Sequence, residues 1–271
     1  NFIKKGAFEN TKIEELKFNP SIQFSLEQQN APRLNRIEFH KGPLLYFKKN
    51  DDGILFTSYH FIELYFAPKN LEKLIVDKSC AFFYKSSLKE MANLKTIEFR
   101  NDSTFSFNDA FPEKKYNNIK KLRFLGISYN FEQKNPFVNF KSLEIVEFCQ
   151  HADIFSLPVF SSCKKLRKIV IPSSCKEIHE RAFKDCINLE SVKFGSKSRV
   201  LKFETEAFYN CSSLVSFVIP PLVTMISKGA FMNCSKLKRV EFERKNNNNS
   251  KKESTSFADD LCIGPNAFKN C

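Results

Sequence analysis

At 271 residues with 42% hydrophobic content, the chain is long enough to bury a core and is not a wholly disordered polymer. No stretch approaches the ~20 apolar residues of a membrane span, and the opening "NFIKKGAFEN" lacks the charged-then-apolar layout of a signal peptide. A formal charge of +13 favours anionic partners without naming one, and 31 Phe against no Trp points to a structural slot that recurs along the chain.

In chain order, a Leu-x-x-Val-x-Phe frame appears first as a loose copy, "IEELKF" from Ile13, and then as "LNRIEF" from Leu34 and "LEKLIV" from Leu71. It returns at Leu94, Ile119, Leu143, Leu166, Leu189, Leu214 and Leu237. From Leu71 onward the steps are 23, 25, 24, 23, 23, 25 and 23 residues. Within each copy apolar and polar residues alternate, which predicts a short strand with one buried face. Upstream of the strands, apolar residues recur at steps of three, as in Phe183, Cys186, Leu189 and Phe208, Cys211, Leu214, which predicts a tight helical turn, α or 3₁₀. A period of 20 to 29 residues around a strand-like core is the leucine-rich-repeat signature. The expected fold class is therefore α/β. It is a leucine-rich-repeat solenoid with a parallel sheet on one face, short helical or 3₁₀ turns on the other, and about ten repeats of 23–25 residues in a single array over 1–271.

Two segments depart from the period. The step from Leu34 to Leu71 is 37 residues, and its excess contains "LLYFKKNDDGILFTS", which predicts a β-hairpin insertion over 42–68. The polar run at 244–256 predicts a mobile, disordered insertion. The chain opens on "IKKGAF" and closes on "IGPNAFKNC", both within a unit, so a fragment of a longer protein is expected.

The reactive side chains do not assemble into a catalytic pattern. The nine cysteines include no C-x-x-C pair; Cys163, Cys186, Cys211, Cys234 and Cys271 share one repeat slot. Stacked equivalent positions hold Cβ atoms ~5 Å apart, wider than a disulfide's ~3.8 Å, so a column of reduced, buried thiols is expected. His40, His60, His151 and His179 share no spacing, and the seven glycines form no phosphate-cradling loop. Neither an enzyme, a metal site nor a cofactor is expected. Sequons stand at Asn101, Asn210, Asn233 and Asn248; those at 210 and 233 arise from the repeat itself, leaving Asn101 and Asn248 as glycosylation candidates.

The pattern "AFxxCxxLxxVxF", followed by Ile-Pro at 171–172 and 219–220, resembles the BspA-like class of leucine-rich repeats, and "DDGILFTSYHFIELYFAP" (51–68) resembles a hairpin insert of that class. The resemblance implies extracellular or cell-surface proteins of bacteria and of parasitic or commensal protists, acting in adhesion, with membrane contact only through an anchor outside this segment. The partner it implies is a protein on host matrix or on another cell, with a sulfated glycan as the alternative through the lysine clusters and a passive spacer as a third role. Nucleic acid is not expected, since no arginine–aromatic stacking platform appears. Oligomeric state is left open.

The strand register then nominates a site. If Val192 and Phe194 point inward, Lys17, Glu38, Ile75, Glu98, Arg123, Glu147, Val170, Lys193, Val218 and Glu241 form one outward column. Beside it run Glu15, Arg36, Lys73, Thr96, Lys121, Ile145, Lys168, Ser191, Ser216 and Arg239. Leu125, Ile145, Val170 and Val218, rimmed by Lys121, Arg123, Glu147 and Lys168, are the expected partner-binding residues, an apolar cluster within charge.

Overall fold

The computed structural model describes residues 160–243 and 261–271 continuously. Before these it describes residues 7–8, 11–18, 33–39, 47–49, 55–57, 62–66, 70–76, 80–83, 91–100, 105–106, 116, 118–126, 129–130, 137, 139–149 and 152. The strands are β1 (Glu15–Phe18), β2 (Arg36–Phe39), β3 (Phe47–Lys49), β4 (Leu55–Thr57), β5 (Ile62–Phe66), β6 (Lys73–Val76), β7 (Cys80–Phe83), β8 (Thr96–Phe99), β9 (Phe105–Ser106) and β10 (Lys121–Phe124). They continue as β11 (Tyr129–Asn130), β12 (Ile145–Phe148), β13 (Lys168–Ile171), β14 (Glu177–Ile178), β15 (Ser191–Phe194), β16 (Lys202–Phe203), β17 (Ser216–Ile219), β18 (Met225–Ile226), β19 (Arg239–Phe242) and β20 (Cys262–Ile263).

Six of the four-residue strands, β6, β8, β10, β12, β13 and β15, form one continuous parallel sheet of six turns. Their register is unshifted: Leu74, Ile97, Leu122, Val146, Ile169 and Val192 stand side by side. The period fixes this, because each turn of the solenoid returns the same residue to the same height. β1 pairs with β2, and β17 with β19, in the same parallel sense. The two-residue strands β14, β16, β18 and β20 form a second parallel wall, with Ile178, Phe203 and Ile226 buried behind it.

The third wall is a run of turns. Among the described residues no helix occurs, and the three-residue spacing that suggests one has another cause. Local i→i+3 bonds, such as Lys184 N–H to the Arg181 carbonyl and Cys186 N–H to the Phe183 carbonyl (both 3.1 Å), alternate with bonds to the next turn. There Phe183 N–H donates to the Ala207 carbonyl (2.7 Å) and Asp185 N–H to the Tyr209 carbonyl (2.9 Å). Two residues per turn take positive φ: Arg181 and Asp185, Glu206 and Asn210, Gly229 and Asn233, Asn266 and Asn270. A left-handed residue cannot continue a right-handed helix, so helical turns give way to linked β-turns whose amides reach the neighbouring unit. The Asn or Asp before Cys186, Cys211, Cys234 and Cys271 is explained by the same geometry, since these side chains tolerate that conformation best after Gly; Ser162 takes it before Cys163.

This wall also explains the phenylalanines. Phe137, Phe160, Phe183, Phe208, Phe231 and Phe268 stack ring on ring at centroid separations of 4.5, 5.4, 5.1, 5.0 and 5.1 Å, with planes within 10° of parallel. Rings held at one strand spacing contribute roughly 0.5–1.5 kcal/mol per pair beyond the area they bury. Behind them the thiols of Cys186, Cys211, Cys234 and Cys271 each donate to the carbonyl of Phe160, Phe183, Phe208 and Phe231, all at 3.1 Å. The eight cysteines outside β7 are free.

In the segment expected as an inserted hairpin, β3 and β4 pair antiparallel from Phe47↔Thr57 to Lys49↔Leu55; β5 joins β4 antiparallel and β7 joins β5 parallel, making a four-stranded sheet. The 244–256 insertion, His40, His60, His151 and the glycosylation candidates Asn101 and Asn248 lie outside the described residues.

Candidate protein-binding face

The outer face of the six-stranded sheet is built by alternation: in β10 Leu122 and Phe124 are buried while Lys121 and Arg123 look outward. Parallel pairing aligns the outward residues into rows. One row runs Ile75, Glu98, Arg123, Glu147, Val170, Lys193, and beside it runs Lys73, Thr96, Lys121, Ile145, Lys168, Ser191.

Over β6 to β12 these rows close their own charge. Glu98 binds Lys73 (3.0 Å), Arg100 (2.7 Å) and Arg123 (2.7 Å); Arg123 also binds Glu147 (2.9 Å), which binds Lys121 (2.7 Å). Glu98 is only 1% exposed, although it belongs to the outward row. Burial raises its pKa, but the hydrogen bonds from Arg100, Lys73 and Arg123 outweigh burial and hold the carboxyl at about 2. Burial likewise raises the Glu147 pKa, and Lys121 and Arg123 reverse this to a net lowering. Burial lowers the Arg123 pKa, and Glu147 and Glu98 turn that into a net rise.

The nominated aliphatic residues are not one cluster. Ile145 pairs with Lys168 and Val170 with Glu147, so Ile145 and Val170 are diagonal neighbours on β12 and β13, about 7 Å apart. Leu125 follows β10 and lies four positions along from the partner of Ile145, roughly 13 Å away, with Arg123 and Glu147 between. Val218 lies on β17, beyond Lys193. Leu125, Ile145 and Val170 are half-buried; Val218 is 44% exposed. Lys121, Arg123 and Glu147 are committed to the ion-pair ladder, while Lys168 is exposed without a carboxylate partner among the described residues.

A third row, just before the strands, was not aligned in reading the sequence. It holds Glu72–Lys95 (3.0 Å), Lys120–Glu144 (3.2 Å) and Arg167–Glu190 (2.8 Å), and then Val215, 52% exposed. A valine in a slot otherwise filled by Glu, Lys, Arg and one Asn was the available signal.

The histidine of "EIHERAF" belongs to the short-strand wall. Glu177, His179 and Glu204 bring one candidate ligand atom each within 4.8 Å of one another. Lys202 Nζ already lies 3.3 Å from Glu177 and 3.1 Å from Glu204, and the Glu180 amide donates to Glu204 (3.0 Å). Two carboxylates around one ammonium form an ion-pair group.

The BspA type Leucine rich repeat region profile matches residues 133–271 in six copies. No curated protein matches the chain. Solved structures similar to it include a leucine-rich repeat protein from Eubacterium ventriosum, at 18% identity and TM-score 0.49, with 90% of this chain and 63% of that one covered. A leucine rich cell surface protein from Faecalibacterium prausnitzii gives 18% identity and TM-score 0.34, covering 90% and 52%. The pneumococcal vaccine antigen PcpA gives 16% and 0.34, covering 90% and 59%. The chain thus spans less than two thirds of the length of each of these three structures.

Proposed function

Because this chain belongs to the BspA-type leucine-rich-repeat family, we propose that it is a non-catalytic interaction module of the cell surface that holds a protein ligand of host matrix or another cell on the outer face of its long-strand sheet. The reading includes about ten units, counting β1 and β2 with the six continuous turns and the β17–β19 pair. The observation that carries it is the contrast along one flat face. Strands β6 to β12 saturate their charges, whereas β13 to β17 present Val170, Val218 and Val215 beside lysines that no carboxylate among the described residues engages. Aliphatic contact within a polar rim is the arrangement that protein interfaces use.

Ile145→Asp with Val170→Asp tests it. Both side chains belong to the outward rows; the new carboxylates would meet Lys121, Lys168 and Lys193, and Glu147 opposite Val170 is already held by Lys121 and Arg123, so the fold should hold. Adhesion to matrix-coated or cell surfaces should be lost with the melting curve retained; unchanged adhesion by a folded double mutant would remove the face from consideration. A sulfated glycan is the second reading, favoured by exposed Lys164, Lys165 and Lys168. It predicts adhesion that falls steeply with added salt and is competed by heparin.

A further inference from the structure

Between β6 and β19 the long-strand wall is interrupted at one place among the described residues. β15 ends the six-stranded ladder, β17 begins the next pair, and no backbone hydrogen bond joins them. The same two turns remain tied elsewhere: Phe183 and Phe208 stack at 5.1 Å, and β16 pairs with β18. In a parallel ladder, alternate residues present both N–H and C=O to one neighbour. Ser191 and Gly195 donate to the preceding turn, at the Arg167 and Ile171 carbonyls. Val192 and Phe194 therefore address β17, which faces them with Ser216 and Val218. On the β15 side of the seam the inward Val192 and Phe194 are half-buried, whereas Phe217 and Ile219 of β17, like Ile169 and Ile171 of β13, are buried.

Charge at the seam is one-sided. Around it, Glu147 is held by Lys121 and Arg123, Glu190 by Arg167, and Glu241 by Arg239 (2.9 Å). Lys168 and Lys193 have no carboxylate partner among the described residues. They stand diagonally on β13 and β15, separated by about 7 Å, the distance between residues i and i+2 of an extended chain. Val218, in the same repeat position on β17 as Lys193 on β15, stands beside Lys193 across the seam, with the small Ser191 and Ser216 leaving the surface low next to both.

We propose that this seam binds an acidic polypeptide segment of the pattern acid-x-acid-x-aliphatic, extended from Lys168 to Lys193 and turned across the seam toward Val218. Its two carboxylates meet Lys168 and Lys193, and its aliphatic side chain covers Val218. The inference rests on the reading of this face as a protein-binding surface and adds the chemistry of the partner.

The test is fluorescence anisotropy of labelled Ser-Glu-Ser-Glu-Ser-Leu-Ser at low salt against the whole chain and its Lys168→Glu, Lys193→Glu variant, with Lys168→Gln, Lys193→Gln as the milder pair should the reversal disturb the melting curve. The expected result is a Kd raised at least tenfold by either variant. The peptide Ser-Lys-Ser-Lys-Ser-Leu-Ser should bind the reversed protein and not the original. Equal affinity for both proteins overturns the proposal. Heparin binding lost in the same variants, with no peptide binding, also overturns it and assigns the lysines to a glycan. If the peptide fails while adhesion still depends on Ile145 and Val170, the acidic segment is ruled out and the wider face stands.

Discussion

Glu98 is the most consequential single side chain of the outer face. Its folded-state pKa of about 2 lies below the ~4.3 of an unfolded glutamate. The ladder it anchors therefore contributes its full stability above pH ~4.3 and loses it as pH falls from there through 2, on the order of 3 kcal/mol in total. Glu98→Gln should lower the urea midpoint at pH 7 and flatten the acid limb of the stability curve between pH 4 and 2; an unchanged acid limb would show that Lys73, Arg100 and Arg123 do not act on this carboxyl. The cysteines allow a second prediction. Burial pushes the Cys163 and Cys234 thiols up to about 12 and the Cys186 and Cys211 thiols well above their ordinary value, whereas Cys262 is exposed. Iodoacetamide on the native protein should label Cys262 and spare those four, as peptide mass mapping would show. In the column of buried thiols Phe160 offers its carbonyl to Cys186, an acceptor that purely apolar surroundings would lack. Cys186→Ser should thus keep a hydrogen bond and cost only about 1–2 kcal/mol.

At the scale of elements, the strands were legible and the turns were not. Val-x-Phe alternation fixes which side of a strand is buried because the side-chain period is two, and the repeat length then sets the register. The three-residue spacing of Phe183, Cys186 and Leu189 is ambiguous by itself: i→i+3 bonds close both a 3₁₀ turn and a run of β-turns. Only the two left-handed residues in each unit distinguish these, and Arg181 or Glu206 in such a position carries no compositional warning. The open seam was also illegible, since the 25-residue step that spans it also occurs between Leu94 and Ile119, where β8 and β10 remain paired. The aromatic stack gives the third prediction. Phe208 touches rings on both sides and edge-on at Phe203 and Phe217. Phe208→Ala should cost about 3–5 kcal/mol by chemical denaturation, and Phe208→Leu clearly less. Equal losses would mean that ring stacking, and not filled volume, holds adjacent turns together.

For the whole molecule, stability is a sum over neighbouring turns, so one weak joint divides the sum. Amides of Val192, Phe194, Ser216 and Val218 should exchange with solvent faster than those of Leu122, Val146 and Ile169, whose neighbours on both sides are paired. Uniform protection across all seven would show that β15 and β17 are bonded in solution.

The stacked asparagines carry a consequence for biosynthesis. Asn210 Nδ2 donates to Asp185 (2.8 Å) and Asn233 Nδ2 to the Tyr209 hydroxyl (3.0 Å), and each of these asparagines opens an Asn-Cys-Ser triplet. Carbohydrate joins asparagine through that same nitrogen. In a compartment that attaches sugars during synthesis, assembly of the array becomes a race: a unit that stacks first hides its acceptor nitrogen, and one that is modified first loses the donor that would have tied it to its neighbour.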